Sequence, residues 1–228
     1  MASTAPRSGT PSPARAQIGR DVAASLDANP LVGRTPVDTA QIYHYRNFLS
    51  RTDCRMLMRL IDANPYPSPL VATSYDPEFR TSFSCDLDRH DPQVRKIDAR
   101  IATLLGIPFE NGEALQGQRY EPGQQFREHC DYFHEDQPYW RQMDACGGQR
   151  TWTAMVYLNT VESGGETLFA RVGVKFTPTP GLLLIWNNLA PDGSANPYVL
   201  HEGVKVEAGT KYVVTKWFRE RLWAFGAP

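Results

Sequence analysis

His129 and Asp131 stand one residue apart in the stretch RYEPGQQFREHCDYF (119–133), which otherwise alternates like a β-strand. Side chains at i and i+2 of a strand project to the same face, so an imidazole and a carboxylate are presented together while Cys130 points away. Burying such a pair gains nothing in packing unless the two groups pair or hold a metal. Two imidazoles and one carboxylate on one side of a divalent ion, with the remaining positions open, are the facial ligand set of non-heme Fe(II) oxygenases. That set needs a second histidine. The chain has five: His44, His90, His129, His134 and His201. His44 and His90 fall in the helical half, and His134 lies in the loop after the motif. His201, in the late run YVLHEGVKV, is the best candidate by elimination. Zinc, cobalt or manganese would suit the same donors, because imidazole and carboxylate select iron weakly.

An oxidising ion of this kind needs an electron-donating cosubstrate, commonly the dicarboxylate 2-oxoglutarate, whose far carboxylate requires a buried cation. Lys211 opens the last apolar run, TKYVVTKWFRE. At period two, Lys211, Val213, Thr215 and Trp217 share one face, and Tyr212, Val214, Lys216 and Phe218 share the other. A lysine on an apolar strand face is rarely buried without an anion to pair with. Lys211 is therefore the candidate cosubstrate anchor.

The elements that must position these groups follow from spacing and punctuation. Ser50 can cap a helix carrying Cys54, Met56, Leu57, Leu60 and Ile61, which stops by NPYPSP. Asp91 before Pro92 starts a second helix with Val94, Ile97, Ile101, Leu104 and Leu105 inside, closed by Gly106. RTSFSCDL (80–87) reads as a short strand, with RTS at its edge. From about Ala114, eight short β-rich runs separated by turn residues predict a mainly β fold with flanking helices, a barrel or sandwich. Residues 1–38, rich in Ala, Pro, Ser and Arg, read as a flexible N-terminal tail. Residues 39–228 then read as a single domain, with helical support over 39–112 and the β core over 113–228.

With those residues in place, the span from about Arg80 to Trp223 resembles the prolyl 4-hydroxylase family of Fe(II)- and 2-oxoglutarate-dependent dioxygenases. RYEPGQQFREHCDYF is similar to its YxxGxxFxxHxDYF pattern. GGQRTWTAMVYLNTVESGGETLF is similar to the two strands that follow, and the segment from Pro180 to Arg221 to the closing strands. The resemblance implies a double-stranded β-helix, a cupin-like jelly-roll, with His129, Asp131 and His201 as iron ligands. It also implies Lys211 on the distal carboxylate, Tyr120 hydrogen-bonded to the cosubstrate, and Tyr157 and Thr215 lining the same pocket. Arg150, Phe126 and Trp217 match positions near the substrate. Arg219 stands where some relatives carry a histidine. The activity implied is hydroxylation of an unactivated C–H bond, most naturally of a prolyl residue in a peptide or protein, with O2 consumed, succinate and CO2 released, and ascorbate a candidate reductant. The alternatives are the same chemistry on a free amino acid or small natural product, and a metal-binding jelly-roll without turnover. The loop HEDQPYWRQMDACGGQ and the segment 65–78 are where substrate choice is expected to reside.

Composition narrows the classes further. The 228 residues carry a net charge of −1, which gives no general attraction to nucleic acid or anionic membrane. No run of 18 apolar residues is present, so no membrane span is expected. Cys54, Cys85, Cys130 and Cys146 are widely spaced without a CxxC pair, which fits reduced thiols and a cytoplasmic setting.

Overall fold

In the computed structural model, which describes residues 9–70 and 76–224, helices form where caps and apolar spacing coincide. Among the described residues there are four α-helices: α1 (Pro13–Asp27), α2 (Arg51–Ala63), α3 (Pro92–Leu105) and α4 (Trp140–Ala145). Ser50 and Asp53 form a reciprocal capping box at the start of α2, the kind of cap worth about 1 kcal/mol. Asp91 caps α3, and Gly106 ends it in the left-handed region at φ 68°.

Among the described residues, fourteen strands are numbered in chain order. They are β1 (Val32–Arg34), β2 (Ile42–Tyr45), β3 (Tyr66–Pro67), β4 (Phe83–Asp86), β5 (Gln116–Tyr120), β6 (Phe126–His129) and β7 (Arg150–Tyr157). The second half adds β8 (Ser163–Gly164), β9 (Thr167–Phe169), β10 (Val174–Phe176), β11 (Leu183–Asn187), β12 (His201–Gly203), β13 (Val206–Ala208) and β14 (Lys211–Arg219). Eight of them form a major antiparallel sheet in the order β1-β2-β11-β7-β14-β5-β4-β3. Four form a minor sheet in the order β10-β9-β12-β6, and β13 pairs with β8.

The major sheet is buried on both faces, and period two sorts its side chains. Trp152, Ala154 and Val156 of β7, Leu183 and Ile185 of β11, and Val214 and Phe218 of β14 pack with Leu57, Ile61, Val94, Ile97 and Ile101 of α2 and α3. The intervening residues Met155, Tyr157, Leu184, Trp186 and Val213 pack with Phe169 and partly buried Phe126, Val174 and Phe176 of the minor sheet. The result is a jelly-roll with helices against one outer face, and the interior between its sheets receives Lys211 and Thr215.

Two boundaries differ from the sequence reading. The first half is not purely helical support, since β1 to β4 extend the major sheet. Residues 13–34 are not a tail. Ser12 caps α1 with Pro13 at its first position, and Val22, Ala23 and Leu26 are buried. Leu26 belongs to the same core as α3, so tertiary burial holds a segment whose Ala-rich composition gives only a weak apolar stripe. The first eight residues of the expected tail, part of segment 65–78 and the last four residues of the expected domain lie outside the described residues.

Candidate active site

β6 and β12 pair antiparallel with His129 directly opposite His201. That register brings residues 72 positions apart to ring centroids 4.3 Å from one another. β6 ends at His129, so Asp131 lies just beyond the strand. The carboxylate therefore joins the imidazoles by the turn of the chain, not by the strand alternation read from sequence. One donor atom from each of His129, Asp131 and His201 lies within 4.8 Å of the others. His129 Nε2 is 3.8 Å from Asp131 Oδ1, and His201 Nε2 is 3.9 Å from Asp131 Oδ2.

The ring orientations suit a metal. His129 Nδ1 lies 2.8 Å from the Arg127 carbonyl and His201 Nδ1 2.9 Å from the Val199 carbonyl. A carbonyl can only accept, so each Nδ1 carries the proton and each Nε2 keeps its lone pair for an ion. Burial, reinforced by the neighbouring His201, lowers His129 to about 3, leaving the imidazole neutral. Burial alone would raise the Asp131 carboxyl, but His201, His129, Arg150 and the Thr153 hydroxyl together hold it below the usual carboxylate range. Thr153 Oγ1 donates to Asp131 Oδ2 at 2.8 Å and accepts from Asn188 Nδ2 at 2.9 Å. Two imidazoles with Nδ1 engaged on backbone carbonyls and a hydrogen-bonded carboxylate are a donor set that fits Fe(II).

Deeper inside, Lys211 is 2 % exposed. Its Nζ lies 5.0 Å from the Tyr120 ring and 5.7 Å from the Tyr157 ring. The favourable charge nearby, Glu166, is itself paired with Lys175 at 3.1 Å. Burial lowers the Lys211 amine to about 7. A buried amine facing aromatic walls, without a carboxylate pair among the described residues, fits the distal carboxylate of 2-oxoglutarate. The Tyr120 hydroxyl donates to Gln118 Oε1 at 3.3 Å. The Tyr157 hydroxyl is bonded to Thr167 Oγ1 (2.6 Å) and the Phe176 carbonyl (3.1 Å), so its ring, not its hydroxyl, faces Lys211. Thr215 is buried on the same face as Lys211.

Around the metal end, Phe126 stacks on His129 with centroids 3.5 Å apart and planes 12° from parallel. Arg80 lies over the Phe126 ring at 4.6 Å. Its guanidinium donates to the Pro69 carbonyl, Ser84 and Gln116, while its buried Nε has no partner among the described residues. Arg150 lies 4.1 Å over the Trp217 ring and donates twice to Glu113, at 2.7 Å each. Arg219 shares Glu113 through Nε (2.5 Å) and donates to the Gly148 carbonyl (2.6 Å). It is turned inward and 4 % exposed, with its donors spent on the protein itself. His134 is not among the three grouped donors; its backbone N–H donates to Tyr139.

Sequence reasoning missed Arg80, Glu113, Thr153 and Asn188. For Thr153 a signal existed, a hydroxyl on the inward face of the otherwise apolar run WTAMVY. Arg80 was read only as the edge of the strand beginning RTS, because its place is set by a tertiary stack on Phe126. The four cysteines are free, and no helix among the described residues is long and apolar enough to cross a membrane.

Comparison with known proteins agrees with this geometry. Residues 115–219 match the model of the 2OG-Fe(II) oxygenase superfamily. Prolyl 4-hydroxylase 5 of Arabidopsis thaliana is 37 % identical over 204 residues, covering 78 % of this chain and 67 % of that protein. Prolyl 4-hydroxylase 2 of the same plant is 31 % identical over 215 residues, covering 83 % and 70 %. Among solved structures, the viral collagen prolyl hydroxylase of Paramecium bursaria Chlorella virus-1, complexed with 2OG, has a TM-score of 0.59 and 26 % identity, covering 85 % of this chain and 98 % of that one. A Trichoplax adhaerens prolyl hydroxylase, solved with a hypoxia inducible factor peptide, shares the fold at a TM-score of 0.60 and 15 % identity, covering 90 % of each chain. The metal-fitting donor triad, the buried amine and these relatives converge on one conclusion: the chain belongs to the 2OG-Fe(II) oxygenase superfamily and is prolyl 4-hydroxylase-like.

Proposed function

We propose that this protein hydroxylates a prolyl residue within a peptide or protein. O2 and 2-oxoglutarate are consumed; one oxygen atom enters the substrate C–H bond, the other enters succinate, and CO2 leaves. His129, Asp131 and His201 hold Fe(II), which supplies the oxidising chemistry when bound. The observation that carries this reading is the grouping of those three donors within 4.8 Å, beside a buried Lys211 amine that has no carboxylate pair among the described residues.

In this reading the residues bind, orient and exclude water. The Lys211 ammonium pairs with the distal carboxylate of 2-oxoglutarate between the Tyr120 and Tyr157 rings, and Thr215 lines the same pocket. Thr153 keeps Asp131 ionised and aimed. Phe126 fixes the plane of His129 by stacking, and with Trp217 it gives the prolyl ring an apolar wall. Arg150, held by Glu113, presents its remaining donor capacity to a peptide carbonyl. Arg219 acts indirectly, by holding Glu113 and the Gly148 carbonyl. A peptide is favoured because the relatives are named as prolyl 4-hydroxylases and one structural neighbour was solved with a peptide.

A second reading has one observation in its favour. Arg80 is a cation beside the metal end with no carboxylate among its hydrogen-bond partners in the described residues, as a free amino acid's carboxylate would require. A mass-spectrometric screen of proline-containing peptides and free amino acids for gain of one oxygen atom separates the two. Hydroxylated peptide, absent in His129→Ala, supports the leading reading; hydroxylated free amino acid alone supports the second. Bound Fe(II) with no conversion of 2-oxoglutarate to succinate under any substrate would instead indicate a non-catalytic metal-binding module.

A further inference from the structure

The start of α1 is fastened to the loop that borders the site. Arg15, in its first turn, is only 10 % exposed and bridges two carboxylates. Its Nη1 donates to Glu135 Oε1 at 2.5 Å, and its Nε to Glu220 Oε2 at 2.6 Å. The guanidinium also lies 5.8 Å over the Trp140 ring. Glu135 and Trp140 belong to the loop 134–149, which begins three residues after Asp131, and Glu220 directly follows β14. The backbone N–H of Thr10 adds a bond to Glu135 Oε2 at 3.2 Å.

The same carboxylates lead inward. Glu220 Oε1 accepts from the Gln149 N–H at 3.1 Å. The Gln149 side chain accepts from the Phe133 N–H at 2.6 Å and donates to the Phe133 carbonyl at 2.9 Å. The Phe133 ring carries Arg150 at 4.9 Å and Arg219 at 4.5 Å. Gly148, at φ +78°, is where Glu220 passes, and a Cβ there would overlap that carboxylate. On the other side, the Ser12 N–H donates to the Asp192 carbonyl at 2.9 Å, and Gly193 lies against the Ser12 carbonyl. The first turn of α1 thus spans two loops of the jelly-roll mouth, and one guanidinium ties them to the end of β14.

We propose that Arg15 is a positioning residue and that residues 9–27 act as a strap that sets loop 134–149 for substrate, leaving the iron and 2-oxoglutarate sites intact. Charge-assisted bonds from a planar guanidinium to two carboxylates fix geometry as well as position. Small misplacement of a substrate-facing loop is costly to productive binding. For its substrate effect, the inference rests on the proposed prolyl hydroxylation.

The test uses the full chain with Arg15→Met and Arg15→Lys. With an oligo-L-proline peptide, Arg15→Met is expected to raise the peptide KM roughly ten- to a hundredfold. Substrate-free conversion of 2-oxoglutarate to succinate, and the 2-oxoglutarate Kd, should stay within about twofold, and Arg15→Lys should recover part of the KM. In hydrogen exchange without any substrate, amides of 134–148 should exchange about tenfold faster or more in Arg15→Met, while those of 126–131 stay unchanged. Unchanged exchange in 134–148, an unchanged peptide KM, or parallel loss of 2-oxoglutarate binding and peptide turnover would each overturn the proposal. If the wild-type chain hydroxylates no peptide, the function proposed above fails, while the exchange measurement still decides on the strap.

Discussion

β14 carries two buried lysines on opposite faces, and they have opposite surroundings. Lys216 points toward the helices, where its ammonium meets Asp98 at 2.6 Å with both side chains fully buried. Phe109 and Phe218 flank it at 5.2 and 5.7 Å. Lys211 points into the jelly-roll, is as well buried, and has aromatic walls but no carboxylate pair among the described residues. Removing a cation from water costs several kcal/mol unless an anion compensates. At Lys216 the protein supplies that anion and the pair joins α3 to the sheet. At Lys211 no such pair is present among the described residues, and in the proposed function the compensating anion comes from a ligand. In the proposed function one charge serves structure and the other serves binding, although the sequence spells both as a lysine among apolar residues.

Four changes probe that contrast, and the largest concerns the metal proposed to lie on the Lys211 face. His201→Ala removes one of three protein ligands and should lower Fe(II)-dependent succinate release by at least about 10³-fold. Retention of wild-type release, assayed with added Fe(II), would break the assignment.

Lys216→Met should leave 2-oxoglutarate affinity unchanged while lowering unfolding free energy by about 3–5 kcal/mol, because Asp98 is left buried without its partner. The double change Lys216→Met with Asp98→Asn should recover part of this in denaturant titration. A loss of cosubstrate affinity in Lys216→Met would mean that the two faces are not independent.

Thr153→Val deletes the hydroxyl that holds Asp131. Support of a ligand from behind is worth roughly 10–100-fold in metal affinity, measurable by competition with a chromogenic chelator. An unchanged affinity would make the Asn188–Thr153–Asp131 chain merely structural.

The smallest effect is a pH dependence. The Lys211 amine, lowered by burial to about 7 in the free protein, must be protonated to pair with a carboxylate. Above that value each pH unit should weaken 2-oxoglutarate binding by about tenfold, with proton uptake on binding. The same shift acts on stability with a definite sign. Between about 7 and the ordinary lysine value, the unfolded chain binds a proton that the folded chain does not, so this group's contribution to stability rises with pH. Calorimetry in two buffers of different ionisation enthalpy would read the uptake, and its absence at pH 8 would contradict the assignment.

What the sequence revealed follows the same division. The grouping of His129, Asp131 and His201 and the burial of Lys211 were legible because a titratable side chain is costly to bury without a partner, with His201 found by elimination. The helices α2 and α3 were legible because Ser50, Asp91 and Gly106 are local caps. Strand alternation, however, was the wrong reason for Asp131, since β6 stops at His129 and the chain's turn brings the carboxylate in. α1 was missed because its apolar residues are sparse and its order comes from contacts with α3 and the mouth loops. The inward turn of Arg219 and the stack of Arg80 on Phe126 depend on partners far away in sequence, which no local pattern encodes.

In the proposed function Lys211 awaits the far carboxylate of the cosubstrate, while Lys216 is already paired with Asp98. Calorimetric titration of 2-oxoglutarate into metal-loaded wild type, Lys211→Met and Lys216→Met tests it directly. The account predicts that wild type and Lys216→Met bind alike and that Lys211→Met binds about a hundredfold or more weaker, the consequence of leaving a buried carboxylate unpaired. Equal affinity in wild type and Lys211→Met would contradict it.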